Sequence, residues 1–141
     1  MKIRTFLDTN VFIYAFEFPQ SNSRKIIELL NQAEIEAIIS ERVLREVQKY
    51  FWKYYNKDLA AAFRNYLLLS CTIIPSLLVD EEMNQYREMI KEKDLEQIAV
   101  VKMLGIKYLV SYDRDFKPFE EYRTPKEFIK ALNLEATEGE Y

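Results

Sequence analysis

Four short apolar runs, each separated from the next by a helix-patterned stretch, limit this chain more than any other feature. The runs are Ile3 to Leu7, Ala37 to Ile39, Cys71 to Ile74 (closed by Pro75) and Lys107 to Ser111. They have the length of strands and not of buried helices. Between them, apolar residues recur at helical spacing: Ile26, Ile27, Leu29 and Leu30 within Ser21 to Leu30, and Val43, Leu44, Val47, Tyr50 and Phe51 beyond Ser40, which stands as an N-cap. Strands alternating with helices imply an α/β fold on an open parallel sheet with right-handed crossovers.

Further helices are expected over Val11 to Phe18, Leu59 to Leu69, Asp80 to Met89 and Asp94 to Leu104, the last stopped by Gly105. Thr124, Pro125 and Glu127 announce a final one through a capping box with proline at the first helical position, ending near Leu134. One domain over residues 1–134 is expected, with a tail over 135–141 that frays. Charges interrupt the apolar sequence every few residues, and the N-terminal stretch contains Asp8 and Asn10, so neither a signal peptide nor a membrane span fits, and a cytoplasmic protein is expected. The lone Cys71 can form no internal disulfide and reads as a small buried hydrophobe.

In an open parallel sheet the ligand site lies off the carboxyl ends of the strands. Asp8 follows the first apolar run and Asp113 the fourth, so both are expected at that edge. Glu46 and Asp94 sit in helix-patterned segments. With no histidine and one cysteine in the chain, such acids suit a hard divalent cation such as Mg²⁺ or Mn²⁺, which prefers carboxylate oxygen. Without a cation they are costly to gather: two unit charges about 4 Å apart repel by roughly 4 kcal/mol at an effective dielectric near 20. A bound cation can also generate a nucleophile from water, so no side-chain base is needed.

Each acid has a plain alternative. Asp8, followed by Thr9 and Asn10, can simply cap the next helix, although an acid inside FLDTNVFIY is costly to bury without a partner. Asp94 can be an N-cap while keeping an oxygen free. Glu41 rivals Glu46 from roughly 140° around the helix, but Glu46 lies beside the apolar stripe and Glu41 in the first turn, where an acid serves the helix dipole. Asp113 has a neighbour in Asp115, either of which can stabilise the loop that Phe116 anchors. The basic residues Arg42, Arg45, Lys49 and Lys53, and Lys91 with Lys93, read first as solvated helix faces. A net charge of −3 argues on its face against indiscriminate nucleic-acid binding, but convergent acids would localise the negative charge.

Taken together, FLDTNVFIYAF, SERVLREV, DLEQIAVVKMLGIKYLVSYDRDF and TPKEFI resemble, in order and spacing, the PIN-domain ribonuclease family and its VapC-like toxins, over Ile3 to Leu132. The resemblance implies a three-layer α/β/α sandwich with a central parallel sheet of four or five strands. It maps the family's acids onto Asp8, Glu46, Asp94 and Asp113, holding one or two Mg²⁺ or Mn²⁺ ions that activate water against an RNA phosphodiester. Asp115 is then an auxiliary metal ligand, and Asn10 and Ser111 position water or an acid. It further implies a homodimer and, for a toxin, a small antitoxin protein that docks at the acidic cleft. Gln97 departs from the histidine of related sequences, and Val100 from a common alanine, which puts the subfamily in doubt more than the chemistry.

Three other functions compete with a metal-dependent endoribonuclease. A housekeeping RNA-processing nuclease would share its acids; a non-catalytic PIN-like module would bind RNA or protein without turnover. Phosphoryl transfer through an aspartyl intermediate would want an acid where Asn10 stands and a lysine at a later strand end. Glycine-rich nucleotide binding is excluded, since Gly105 and Gly139 are the only glycines.

Overall fold

The computed structural model describes residues 2–139. Five strands, β1 (Ile3–Leu7), β2 (Ile35–Ser40), β3 (Cys71–Ile74), β4 (Tyr108–Val110) and β5 (Tyr122–Arg123), form one sheet in the order β3-β2-β1-β4-β5. Every pairing is parallel, with Leu7 in register with Val110 across the β1–β4 seam. The helices are α1 (Thr9–Glu17), α2 (Asn22–Asn31), α3 (Glu41–Tyr54), α4 (Lys57–Ser70), α5 (Asp80–Tyr86), α6 (Glu92–Leu104) and α7 (Pro125–Ala131). Two 3₁₀ turns, Ser76–Val79 and Arg114–Phe116, complete the described elements.

Both faces of the sheet are covered, as parallel sheets require. Thr5, Phe6 and Leu7 of β1 and all of β4 are buried in sequence, side chains of both parities alike. Helices α5 and α6 pack on each other, while α1 to α4 and α7 form a second contiguous group, giving the α/β/α sandwich. Helix α6 is buried on all sides from Asp94 to Val101, which explains an apolar pattern broader than one helical stripe. Phe51 of α3 is fully buried and stacks on Phe63 of α4 with ring centroids 4.0 Å apart.

Several boundaries move for local reasons. Helix α1 starts at Thr9 because Asp8 is its N-cap, accepting from the Thr9 amide. Lys91 caps α6, so Asp94 is its third residue and not a cap. Helix α7 has the expected capping box but stops at Ala131, because Asn133 takes a left-handed φ of 61° and its Schellman bonds close the end. The part of Asp80 to Met89 beyond Tyr86 is not helical. Cys71 is only half-buried because β3 is an edge strand, and burial still pushes its thiol up to about 12. Strand β5, two residues long, is too short to show any alternation in the sequence.

The expected tail over 135–141 falls partly outside the described residues. Within them, the segment 135–139 lies along α2: the Thr137 amide donates to Asn22 Oδ1 at 2.7 Å, and Lys25 Nζ donates to the Glu135 carbonyl at 3.1 Å. Among the described residues, no helix is long and apolar enough to cross a membrane.

Ser40 is fully buried and its Oγ accepts the Val43 amide at 3.2 Å, so it sets where α3 leaves β2. Ser40→Ala is expected to cost about 1 kcal/mol. The urea midpoint should fall with an unchanged slope; an unaltered midpoint would show that the cap is dispensable.

Candidate active site

The β1–β4 pairing delivers two chain segments side by side at the carboxyl edge of the sheet. The Asp8 amide donates to the Val110 carbonyl at 3.0 Å, so Asp8 and Ser111 leave the seam together. Ser111 Oγ, fully buried, donates to Asp8 Oδ2 at 2.7 Å and accepts the Asp113 amide at 2.9 Å and Asn10 Nδ2 at 3.1 Å. Asn10 Oδ1 in turn accepts the Tyr112 amide at 3.2 Å. Asn10 and Ser111 thus tie the β1 and β4 exits to each other.

The other acids arrive on helices. Glu46 lines the same cleft as Asp8, Asp94 and Asp113, and Thr9 Oγ1 donates to its Oε1 at 2.7 Å. Glu41 faces elsewhere and accepts the Ser76 amide at 3.0 Å. Asp94, in the first turn of α6, faces Asp113 and Asp115 so that one carboxylate oxygen from each lies within 4.8 Å of the others. Asp8 and Glu46 stand outside that cluster, along the cleft. Asp113 Oδ1 accepts the Asp115 amide at 2.9 Å, and Asp115 pairs with Lys91 at 3.1 Å. Phe116, fully buried, anchors the turn.

Besides the apolar Ile13, four residues of the cleft escape notice in the sequence as site residues. Thr9 and Tyr50 line it, as do Lys93 and Gln97. Lys93 Nζ lies 3.4 Å from Asp113 Oδ2 and 4.0 Å from Asp94 Oδ2. Gln97 Nε2 donates to Asp8 Oδ1 at 3.5 Å, at the limit of a hydrogen bond. A signal for two of them existed: Gln97 follows Asp94 by one helical turn and Tyr50 follows Glu46 by one turn, so each shares its acid's face. Glu96, also buried, accepts the Arg42 amide at 2.8 Å and so holds α6 against the start of α3. Arg42 and Arg45 pair with Glu46 and Glu41 one turn away, as a solvated helix face does.

Charge is crowded here. Burial, then the neighbouring Asp113, raises the Asp94 carboxyl to about 7, and Lys93 opposes this without overcoming it. Burial also raises Asp8, against hydrogen bonds from Ser111 and Thr9 that favour its charged form. Asp94 Oδ2 is buried and has no hydrogen-bond partner among the described residues. Three converging carboxylates, one of them with a buried oxygen that accepts no hydrogen bond among the described residues, fit a hard cation such as Mg²⁺ or Mn²⁺. Asp94, Asp113 and Asp115 are the residues placed to hold it.

The sequence matches the PIN domain family over residues 5–121. No curated protein matches it. Among solved structures, VapBC2 of Rickettsia felis, determined bound to a DNA fragment from its promoter, is 21% identical with a TM-score of 0.65, covering 86% of this chain and 98% of that one. A toxin–antitoxin complex from Klebsiella pneumoniae is 20% identical with a TM-score of 0.65, covering 87% and 98%. VapC20 of Mycobacterium tuberculosis, a sarcin–ricin loop cleaving toxin, is 16% identical with a TM-score of 0.60, covering 81% and 93%. At these identities the likeness is one of fold.

The Asp94 shift has a definite sign. Its folded pKa of about 7 lies above the ordinary aspartate value of 3.8, so the folded state holds the extra proton between them and stability falls as pH rises through that window. Without divalent cations, Asp94→Asn should therefore melt higher than wild type at pH 8, by on the order of 1–4 kcal/mol, and should flatten the pH dependence. Added Mn²⁺ should stabilise wild type far more than the variant. Identical melting profiles of the two proteins with EDTA from pH 5 to 8 would contradict this account.

Proposed function

The chain belongs to the PIN-domain family, and from that premise we propose that it is a metal-dependent endoribonuclease that hydrolyses RNA phosphodiester bonds. The observation that carries the proposal is the convergence of the Asp94, Asp113 and Asp115 carboxylates, with a buried Asp94 oxygen that accepts no hydrogen bond among the described residues, beside Asp8 and Glu46. Asp8, Glu46, Asp94 and Asp113 are the proposed catalytic acids. Asp94, Asp113 and Asp115 would hold Mg²⁺ or Mn²⁺, with Asp8 and Glu46 completing the negative wall. The chemistry supplied by such a cation is Lewis acidity toward the phosphodiester and a water acidic enough to act as nucleophile near neutral pH.

The chain's own residues do the remainder. Ser111 and Asn10 fix the Asp8 carboxylate, and Thr9 fixes that of Glu46. Lys93 screens Asp94 from Asp113, which lowers the repulsion that an incoming cation would otherwise relieve alone. Asp94, raised to about 7, must give up its proton to ligate, so cation binding should strengthen as pH rises toward that value.

The toxin–antitoxin setting of structural neighbours supports a more specific reading, in which the chain is the toxin of such a pair, working in the cytoplasm with a small antitoxin protein. A homodimer is the assembly proposed, and exposed Trp52 and Tyr54 on α3 offer apolar surface for one.

Purified protein with Mn²⁺ is expected to cut single-stranded or structured RNA, to stop on adding EDTA, and to lose at least a hundredfold in rate as Asp8→Asn. Equal cleavage by that variant would overturn the assignment. RNA binding with no cleavage under any divalent cation would favour a binding module instead.

A further inference from the structure

A second groove opens at the same sheet edge, on the β5 side of the acids. It is lined by Arg114, Lys117, Arg123 and Lys126, with Glu120 and Glu127 among its other residues, so cations outnumber carboxylates by four to two. Glu127 is already engaged, accepting the Thr124 amide at 2.8 Å in the α7 capping box. Arg123 is held in place: its Nη1 donates to the carbonyls of Glu120 and Tyr122 at 2.8 and 2.7 Å, and its guanidinium lies 5.4 Å from the Tyr108 ring centroid. Lys117 is exposed and makes no ion pair among the described residues.

The groove and the acid cleft share a wall. Asp113, which lines the cleft, caps the 3₁₀ turn Arg114–Phe116, whose first residue lines the groove. Ser111 and Arg123 are tied across the β4–β5 seam, the Ser111 amide donating to the Arg123 carbonyl at 3.1 Å. A polyanion lying over the acids meets net negative charge there, and its neighbouring phosphates need compensation nearby. The chain also places a carboxylate of its own on this cationic surface. Glu138 Oε2 is 2.7 Å from Lys126 Nζ, with Oε1 3.6 Å from Lys130 Nζ, while the Glu138 side chain is 73% exposed and able to leave.

We propose that this groove is a docking track for RNA phosphates flanking the acid cleft, and that Glu138 competes with RNA for it. The identity of the polyanion rests on the ribonuclease reading of the cleft; the cationic track itself does not. Phosphate contacts of this kind position a strand without reading its sequence. Lys117 is the exposed lysine of the track, Lys126 the one paired with Glu138, and Arg123 is held by its backbone bonds. The segment 135–139 then acts as an internal counter-charge that weak binders fail to displace.

The test measures binding of a labelled single-stranded RNA 20-mer to the full chain in EDTA, by anisotropy across a salt series, and Mn²⁺-dependent cleavage of the same RNA. The double variant Lys117→Gln/Lys126→Gln should weaken binding about tenfold and reduce the slope of log K against log salt by about 1.4, the value for two lost single-strand phosphate contacts. Its kcat should stay within about twofold while KM rises. Glu138→Gln should move affinity the opposite way, tightening it about threefold, a change that misfolding would not mimic. Wild-type affinity and salt slope in the double variant would overturn the track even if RNA is cleaved normally. Loss of binding in the double variant, with no cleavage by the wild type, would keep the track and refute the ribonuclease reading.

Discussion

Parallel pairing of β1 with β4 is the constraint on which the rest of the molecule depends. It brings Asp8 and Ser111, far apart in the chain, out of the sheet at one point, where one buried hydroxyl joins Asp8 to the loop carrying Asp113. Were the register shifted by one residue, Ser111 would lose both bonds and the β4 loop would no longer face the first turn of α6. The pairing is itself secured by burial, since every residue of β4 is buried and β1 is buried from Thr5 to Leu7.

Around that seam the structure assembles groups that repel one another. Asp94 is pushed toward neutrality by burial and by Asp113, and Lys93 compensates only in part. Such an arrangement persists because the surroundings over-determine it: α6 is buried on all sides from Asp94 to Val101, Glu96 fastens it to α3, and Phe116 pins the loop. Stability lost at the acids is supplied by packing elsewhere, as is usual where perturbed titrations cluster. The cationic surface beside them is a complement of opposite sign, built on the adjacent strand end.

Much of the fold was legible because its signals are local. The four runs appeared as β1 to β4, the Ser40 cap and the Thr124 capping box formed as their residues predict, and Gly105 took the left-handed C-cap conformation. Less legible were ends set by geometry a few residues away, such as α7 stopping at Ala131 ahead of the left-handed Asn133, and β5, which exists only because β4 offers it an edge. In the cleft, the acids were visible as types at strand and helix ends. Lys93, Gln97, Thr9 and Tyr50 were not, because their place follows from the orientation of α1, α3 and α6 relative to one another.

The sequence by itself determined four of the five strands and the helical segments between them, their order, and that Asp8 and Asp113 lie at the carboxyl edge of a parallel sheet. Periodicity, capping and chain direction are properties of neighbouring residues, so they can be read along the chain. Only the tertiary structure decided that Asp115 joins Asp94 and Asp113, that Asp8 is engaged by Ser111 and Thr9, and that Glu46 and not Glu41 faces the cleft. Those outcomes turn on the register of one strand pair and the rotation of two helices, differences of a few ångströms that no local pattern encodes.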